Sequence, residues 1–327
     1  MKYSAYYVEE IDGVFSASIS ELELEKPSDG FVQIQVSCSS LNYKDALSAS
    51  GNKGVTRNYP FVPGIDAAGT ISDANSSNFV EGDEVLVTGY DMGMNTPGGF
   101  GEFINVPANW VVKKPSALTS IEAMSIGTAG LTAAASVLKI QESSKESDLP
   151  VLVSGATGGV GSIGVMLMSK LDKEVTALTG KSSSADFLKS IGAKNVILRD
   201  DFLEGPVKPM ERALFSSAID TVGGNVLSKM LTQISPHGVV ACCGNVAGIE
   251  VNTTVFPFIL RGITLAGIDS AESSLEFKTN VWRKFANEWK LDLSPIIKVV
   301  TKENLQQEID LILQGGQQGR VVLKHGE

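Results

Sequence analysis

Ser154-Gly155-Ala156-Thr157-Gly158-Gly159-Val160-Gly161-Ser162 follows a short apolar run, Val151–Ser154, and opens a stretch that reads as a helix to about Leu171. Glycines between a strand and a helix let backbone amides come close to phosphate oxygens. The helix N-terminus adds partial positive charge. Gly158 and its neighbours permit that approach, and Gly161 lets the helix pack close to the sheet. Ala156 stands where the usual G-x-G-x-x-G has its first glycine, so the match is a variant. Thr157, Gly158, Gly159, Val160, Gly161 and Ser162 are the expected pyrophosphate-binding residues.

About 20 residues on, an NAD site usually carries an acidic residue for the ribose hydroxyls. Here that region reads Leu178-Thr179-Gly180-Lys181-Ser182-Ser183-Ser184, with no carboxylate. Lys181 can pair with a 2′-phosphate, the serine hydroxyls can donate to it, and Arg199 is a second cation after the next strand. The expectation is NADP(H) rather than NAD(H).

Outward from this turn, strands and helices alternate. Val175–Leu178, Val196–Leu198, Ala218–Asp220 and Val239–Cys242 read as strands, and 184–191 and 225–234 as helices. That alternation implies a doubly wound parallel sheet over 119–255. It starts at Thr119-Ser120-Ile121-Glu122, a capping box opening a helix that runs to about Gln141 with an interruption near Gly127. Glu142–Asp148 reads as a polar loop. Residues 1–118 are β-rich: Phe31–Ser37 alternates apolar and polar, and Glu84–Thr88 and Phe103–Val106 are further short strands. Residues 256–327 return to that domain, with a strand at Ile263–Ile268, an amphipathic helix at Thr279–Lys290 and a last strand at Gly319–Leu323. Val281, Trp282, Phe285 and Trp289 on that helix are expected in the core.

The 327 residues carry 27 Lys and Arg against 37 Asp and Glu, a formal charge of −10. The length leads us to expect two domains, and the acidic balance argues against a nucleic-acid binder. Three cysteines, Cys38, Cys242 and Cys243, are too few for a disulfide scaffold and fit a reducing compartment. Residues 1–20 lack the apolar core of a signal peptide, and no apolar run approaches roughly 18 residues, so neither export nor a membrane span is expected. The chain is expected to be cytoplasmic. With only His237 and His325, and with Cys242 and Cys243 adjacent, a catalytic metal site is not expected. His237 reads as exposed in a turn, and Arg261 as a partner in a structural ion pair.

A second set of polar residues lies in Ser40-Leu41-Asn42-Tyr43-Lys44-Asp45-Ala46-Leu47. Asn42 suits an N-cap and Asp45 its capping-box partner. Tyr43 and Lys44 have no such structural role; simple exposure stays open for either. A tyrosine beside a nicotinamide can donate to a substrate oxygen as negative charge develops. Arg57, in the glycine-rich loop from Gly51, can hold a carboxylate or phosphate. Gly244 and Asn245, after the strand ending at Cys242, suit a backbone passing the nicotinamide.

These residues resemble the medium-chain dehydrogenase/reductase superfamily. Pro63-Gly64-Ile65-Asp66-Ala67-Ala68-Gly69 resembles its G-x-E-x-A-G segment, and Gly82-Asp83-Glu84-Val85 its G-D-x-V turn. Gly98–Phe103 resembles its G-G-x-A-E-Y segment, and Ala156–Gly161 its A-x-G-G-V-G turn. Where zinc alcohol dehydrogenases have Cys-His-Thr-Asp and Gly-His-Glu, this chain has Asn42-Tyr43-Lys44-Asp45 and Gly64-Ile65-Asp66. Both changes remove ligands. Ser40–Asp45, Arg57–Pro60, Gly127–Ala133 and Pro257–Arg261 resemble a zinc-free branch, the acrylyl-CoA reductases and related quinone oxidoreductases. The resemblance implies an α/β protein with a GroES-like β-rich catalytic domain and a Rossmann domain, NADPH as cofactor, and a homodimer joined near Ile263–Ile268. It implies Asn42, Tyr43, Lys44, Asp45 and Arg57 as catalytic residues. Tyr43, Thr128, Ile259 and Ser270 join the residues above at the cofactor. The activity implied is reduction of a conjugated acceptor, an enoyl thioester or a quinone. Quinone reduction without CoA, and NADPH binding without turnover, stay open as alternatives.

Overall fold

The computed structural model describes residues 1–75, 77–143, 147–206 and 208–326. In chain order the elements are β1 (Lys2–Ile11), β2 (Val14–Glu23), β3 (Phe31–Leu41), α1 (Tyr43–Ala49), β4 (Asp66–Asp73), β5 (Glu84–Thr88), β6 (Phe103–Pro107), β7 (Val112–Lys113) and α2 (Ser120–Ser143). There follow β8 (Val151–Val153), α3 (Gly159–Lys170), β9 (Val175–Thr179), α4 (Ala185–Ser190), β10 (Asn195–Leu198), α5 (Arg199–Leu203), β11 (Ala218–Asp220), α6 (Gly224–Thr232) and β12 (Val239–Cys242). The chain ends with α7 (Phe256–Arg261), β13 (Thr264–Gly267), α8 (Leu275–Ala286), β14 (Ile297–Val300), α9 (Lys302–Leu313) and β15 (Arg320–Lys324).

Two compact units result: Met1–Thr128 with Ala271–Glu327, and Ala129–Ser270. The second is therefore inserted into the first. Its limits lie later than 119 and 255 for two reasons. The first turns of α2 bond within the first unit, with the Ser125 carbonyl accepting from Arg320. β13 pairs with β12 and so keeps the chain in the inserted sheet.

In the first unit β3 is central. It pairs antiparallel with β15, β4 and β6, in a seven-stranded sheet whose path is β14-β15-β3-β4-β5-β7, with β6 joined to β3 off that path. The alternation read at Phe31–Ser37 is one side of this pairing: Val32, Ile34 and Val36 are buried together with Ile71, Val85 and Ile104. Val281, Trp282, Phe285 and Trp289 are all buried, although α8 starts earlier than expected and Trp289 lies past its end. The β1–β2 hairpin, α7, α9 and β14 had no clear sequence signal.

The inserted unit has one parallel sheet, ordered β10-β9-β8-β11-β12-β13. Counting from β8, this is the 3-2-1-4-5-6 order of a dinucleotide-binding sheet, which reverses between β8 and β11. Leu152, Ala218 and Val240 of its strands are buried against Val226, Leu227 and Met230 of α6.

Contrary to the expectation that no apolar run approaches roughly 18 residues, Ser120–Glu142 has the length and hydropathy of a membrane span. However, 72% of the apolar window is buried inside the protein, and Gly127 breaks the helix with φ +49°. It is a core helix. The expected loop Glu142–Asp148 lies partly outside the described residues, and α2 runs to Ser143.

Candidate active site

β3 ends at Leu41 and α1 begins at Tyr43, so Asn42 is the N-cap. Asp45 accepts from the Asn42 amide at 2.7 Å, as the capping-box spacing predicts. The Asn42 side chain faces elsewhere. Its Nδ2 donates to Asp66 Oδ2 at 2.9 Å and to Asp45 Oδ2 at 3.1 Å. Its Oδ1 accepts from Arg320 Nη1 at 3.2 Å. A cation on one side and two carboxylates on the other fix which way the amide points.

Asp66, at the start of β4, gathers the rest. It accepts from the Ser40 hydroxyl, the Thr128 amide at 2.9 Å and the Thr128 hydroxyl at 2.5 Å. The Thr128 amide is available because Gly127 breaks the helix one residue earlier. A Cβ at Gly127 would stand 2.5 Å from Asp66 Oδ2 and 3.1 Å from Arg320 Nη2. Arg320 is fully buried and also donates to the carbonyls of Ser125 and Leu41. Burial pulls its pKa down, and Asp66 and Asp45 push it back up. Asp45 is fully buried, and burial, with Asp66 second, pushes its pKa up to about 7.

Asn42 and Asp45, expected to meet the substrate, are bonded within this network and hold the start of α1. Thr128, expected at the cofactor, gives its hydroxyl and amide to Asp66. Ser40, Asp66 and Arg320 were not singled out as site residues. Asp66 could have been noticed from its place in the Gly-His-Glu segment; Arg320, 278 residues from Asn42, carried no local signal. Tyr43 is 36% exposed at the first position of α1, and Lys44 is half-buried beside it. Arg57 is exposed on the 51–60 loop. That loop is fastened by a Ser48–Thr56 hydroxyl pair at 2.6 Å, by Tyr59 donating to the Ser48 carbonyl, and by a Lys53–Glu10 ion pair. Among the described residues, no three His, Cys, Asp or Glu side chains gather where they could hold a metal.

In the inserted unit, β8 leads through the glycine turn into α3, with Gly158 as N-cap. The amides of Gly159, Val160 and Gly161 are first-turn donors without intrahelical acceptors, and the turn holds no acidic side chain. A Cβ at Gly161 would fall 2.3 Å from the Gly155 carbonyl oxygen, so the crowding is against the turn itself rather than the sheet. Thr157 and Ser162 are buried. At the end of β9, the Arg199 guanidinium lies against Gly180, 3.3 Å from a notional Cβ there. Lys181 follows, its amide bonded to Thr179 Oγ1 at 3.0 Å, and its pKa is lowered by partial burial. Ser182 is exposed in the next turn. The sheet thus brings Gly180, Lys181 and Arg199 together.

Gly244 is small for a different reason than expected: its Cβ would meet the Thr221 carbonyl oxygen at 1.9 Å. Asn245 beside it is exposed. Ser270 is buried and shares a 2.6 Å hydrogen bond with Thr132. Ile259 is 68% exposed on α7. Arg261, two residues on, is bonded to the carbonyls of Thr232, Ile234 and Glu211 instead of an ion-pair partner. This ties α7 to the segment entering β12, at the end of the parallel sheet away from the glycine turn. His237 is exposed. Burial and Asp220 push the Cys243 thiol up to about 12, so it is not a reactive thiolate.

A 3-2-1-4-5-6 sheet with a glycine turn, inserted into a mostly antiparallel β unit, defines a two-domain oxidoreductase of the dinucleotide-dependent class. Residues 28–116 match the family model described as alcohol dehydrogenase GroES-like domain, and residues 159–287 the one described as zinc-binding dehydrogenase. The chain belongs to the medium-chain dehydrogenase/reductase superfamily, in its acrylyl-CoA reductase and quinone oxidoreductase branch. It is 42% identical over 301 residues to the Bacillus subtilis protein named "Putative quinone oxidoreductase YhfP", covering 91% of each. It is 37% identical over 317 residues to the acrylyl-CoA reductase AcuI of Ruegeria pomeroyi, covering 96% of each. The yhdH oxidoreductase of Salmonella enterica, solved in complex with NADP, is similar with TM-score 0.94 and 38% identity over the whole of both chains. Bacillus subtilis yhfP, solved with NAD bound, is similar with TM-score 0.95 and 39% identity, covering 99% of each.

Proposed function

We propose that the chain is a zinc-independent, NADPH-dependent reductase of conjugated electrophilic acceptors, an acrylyl-CoA-type enoyl thioester first and a quinone second. The observation that carries it is the buried Asn42–Asp66–Arg320 network. Asn42 and Asp66 lie in the two segments that hold zinc ligands in alcohol dehydrogenases, and they are bonded to each other and, through Asn42 Oδ1, to Arg320. The free amides of the α3 first turn fit a pyrophosphate, and Lys181 beside Arg199 fits a 2′-phosphate.

NADPH, when bound, supplies the hydride. The protein's part is placement and charge. Tyr43, and Lys44 as its rival, stand at the accessible start of α1 and donate to the acceptor oxygen as negative charge grows there. Asn42, Asp45 and Asp66 hold that start in place. Arg57 takes a carboxylate or phosphate of the substrate. The charge of −10 disfavours a polyanionic CoA and supports the quinone reading.

The chain works as a homodimer in a reducing cytoplasm. Its three cysteines are unpaired. Phe256, Ile259 and Leu260 of α7 are exposed beside β13, an edge strand with a free side.

The test is steady-state NADPH oxidation over a panel of enoyl-CoAs, enals and quinones, with and without chelator. We expect turnover with one of these classes, unaffected by chelation. Stoichiometric zinc lost together with activity would overturn the metal-free reading. No turnover on any acceptor, with NADPH still bound, would leave a binding protein.

A further inference from the structure

We propose that Asp220 is a positioning residue for the dinucleotide, setting the Ser154–Gly155 peptide and through it the phosphate-facing amides of the glycine turn. The inference rests on the assignment of NADPH to that turn and is independent of the acceptor.

Asp220 ends β11, beside the end of β8, where the strand order reverses. It is fully buried. Among the described residues its carboxylate partners are all uncharged: the Ser154 hydroxyl at 2.7 Å, the Gly223 amide at 2.9 Å, the Val222 amide at 3.4 Å and the Cys242 thiol at 3.7 Å. A buried carboxylate without a counter-ion is costly, so packing alone is a poor reason for one. No neutral side chain of that size accepts from so many directions.

The consequence runs along a chain of bonds. The Thr221 amide donates to Ser154 Oγ at 2.9 Å, so the Ser154 proton is directed at Asp220. The Thr221 hydroxyl donates to the Ser154 carbonyl, also at 2.9 Å, and this fixes the peptide plane leading into Gly155. Gly155 has φ +55°, and a Cβ there would strike Thr221 Oγ1 at 2.2 Å. The Gly155 carbonyl in turn accepts from the Gly158 amide at 2.9 Å and lies against Gly161. Gly158 is the cap of α3. Asp220 thus acts through Ser154 and Thr221 on the residues that face the phosphates, without being among them.

The test compares two ligands on the intact protein: NADPH, and adenosine 2′-phosphate, which has the 2′-phosphate but no pyrophosphate. Asp220→Asn is expected to weaken NADPH about tenfold and to leave adenosine 2′-phosphate within about twofold. Thr221→Val, which removes only the hydroxyl, gives the same selective loss at smaller size and serves if Asp220→Asn does not fold. Equal losses for both ligands, or none, in whichever variant folds would overturn the positioning role alone. If the unaltered protein binds neither ligand, the reading of the turn fails, and this inference with it.

Discussion

Asn42 shows how much one side chain can settle. As a helix cap it could be Ser, Thr or Asp, but an ionised Asp has no donor and a hydroxyl carries donor and acceptor on one oxygen, whereas Asn42 meets Arg320 and Asp66 with separate atoms. With Asn42 so committed, the proposed donor to the acceptor oxygen is its neighbour. Tyr43→Phe keeps the ring and removes only the hydroxyl. It should lower kcat by about 10²–10³ if the hydroxyl donates to the developing oxyanion, with NADPH affinity unchanged. A kcat within about threefold, with hydride transfer shown to be rate-limiting, would reduce Tyr43 to packing. Asp45 sets a pH signature. Its pKa rises from 3.8 unfolded to about 7 folded, so between those values the folded chain holds a proton that the unfolded chain has released. Stability from this group is therefore full at low pH and is lost as pH rises through about 7. Asp45→Asn removes that slope and adds a constant offset for the lost acceptor. From about pH 5 to about pH 8, the unaltered protein should lose on the order of 3 kcal/mol relative to the variant in denaturant unfolding. A difference that does not change with pH would refute the raised pKa. His325, which burial brings down to about 4, destabilises the fold as pH falls below its unfolded 6.5, but it is common to both proteins and cancels. At the adenosine end, Lys181→Ala should weaken NADPH roughly tenfold to hundredfold and leave NADH unchanged. Equal affinities of the unaltered protein for NADPH and NADH would contradict the selection.

The break at Gly127 makes α2 two functional pieces. Its first turns supply the Ser125 carbonyl to Arg320, and the break turns the Thr128 amide toward Asp66. Gly127→Ala adds a Cβ 2.5 Å from Asp66 Oδ2 at a φ of +49°. We expect it to cost about 2 kcal/mol or more in unfolding free energy and to lower activity through the displaced carboxylate. Unchanged stability would show that the break is incidental. The interruption itself was legible, as were the glycine turn, the Thr119–Glu122 capping box and Val239–Cys242, because each is written in a few consecutive residues. Asp66 with Ser40 and Arg320 was not legible as a cluster. Strands β4, β3 and β15 bring them together, and a cross-strand neighbour leaves no mark in local spacing. α7 was missed because Pro257 and an exposed apolar face do not follow a helix pattern with one buried side.

The alternation of strands and helices carried the whole-chain arrangement, an inserted nucleotide domain, but it put the joins too early because α2 straddles the first and β13 stays in the inserted sheet ahead of the second. The proposed dimer belongs to this scale. Ile259→Lys with Leu260→Lys charges the exposed face of α7 and should give a monomer in sedimentation equilibrium, with NADPH affinity retained. A dimer that survives would move the interface elsewhere. The insertion also orders events on the ribosome. Residues 129–270 form a contiguous domain, and it can close its sheet as soon as it emerges. β3 is synthesised among the first 41 residues, but one of its neighbours, β15, begins only at Arg320. The domain that starts first is therefore finished last. While it waits, β3 exposes an unpaired edge and Asn42 lacks its arginine, so the growing chain is open to misassembly in a part made well before the inserted domain.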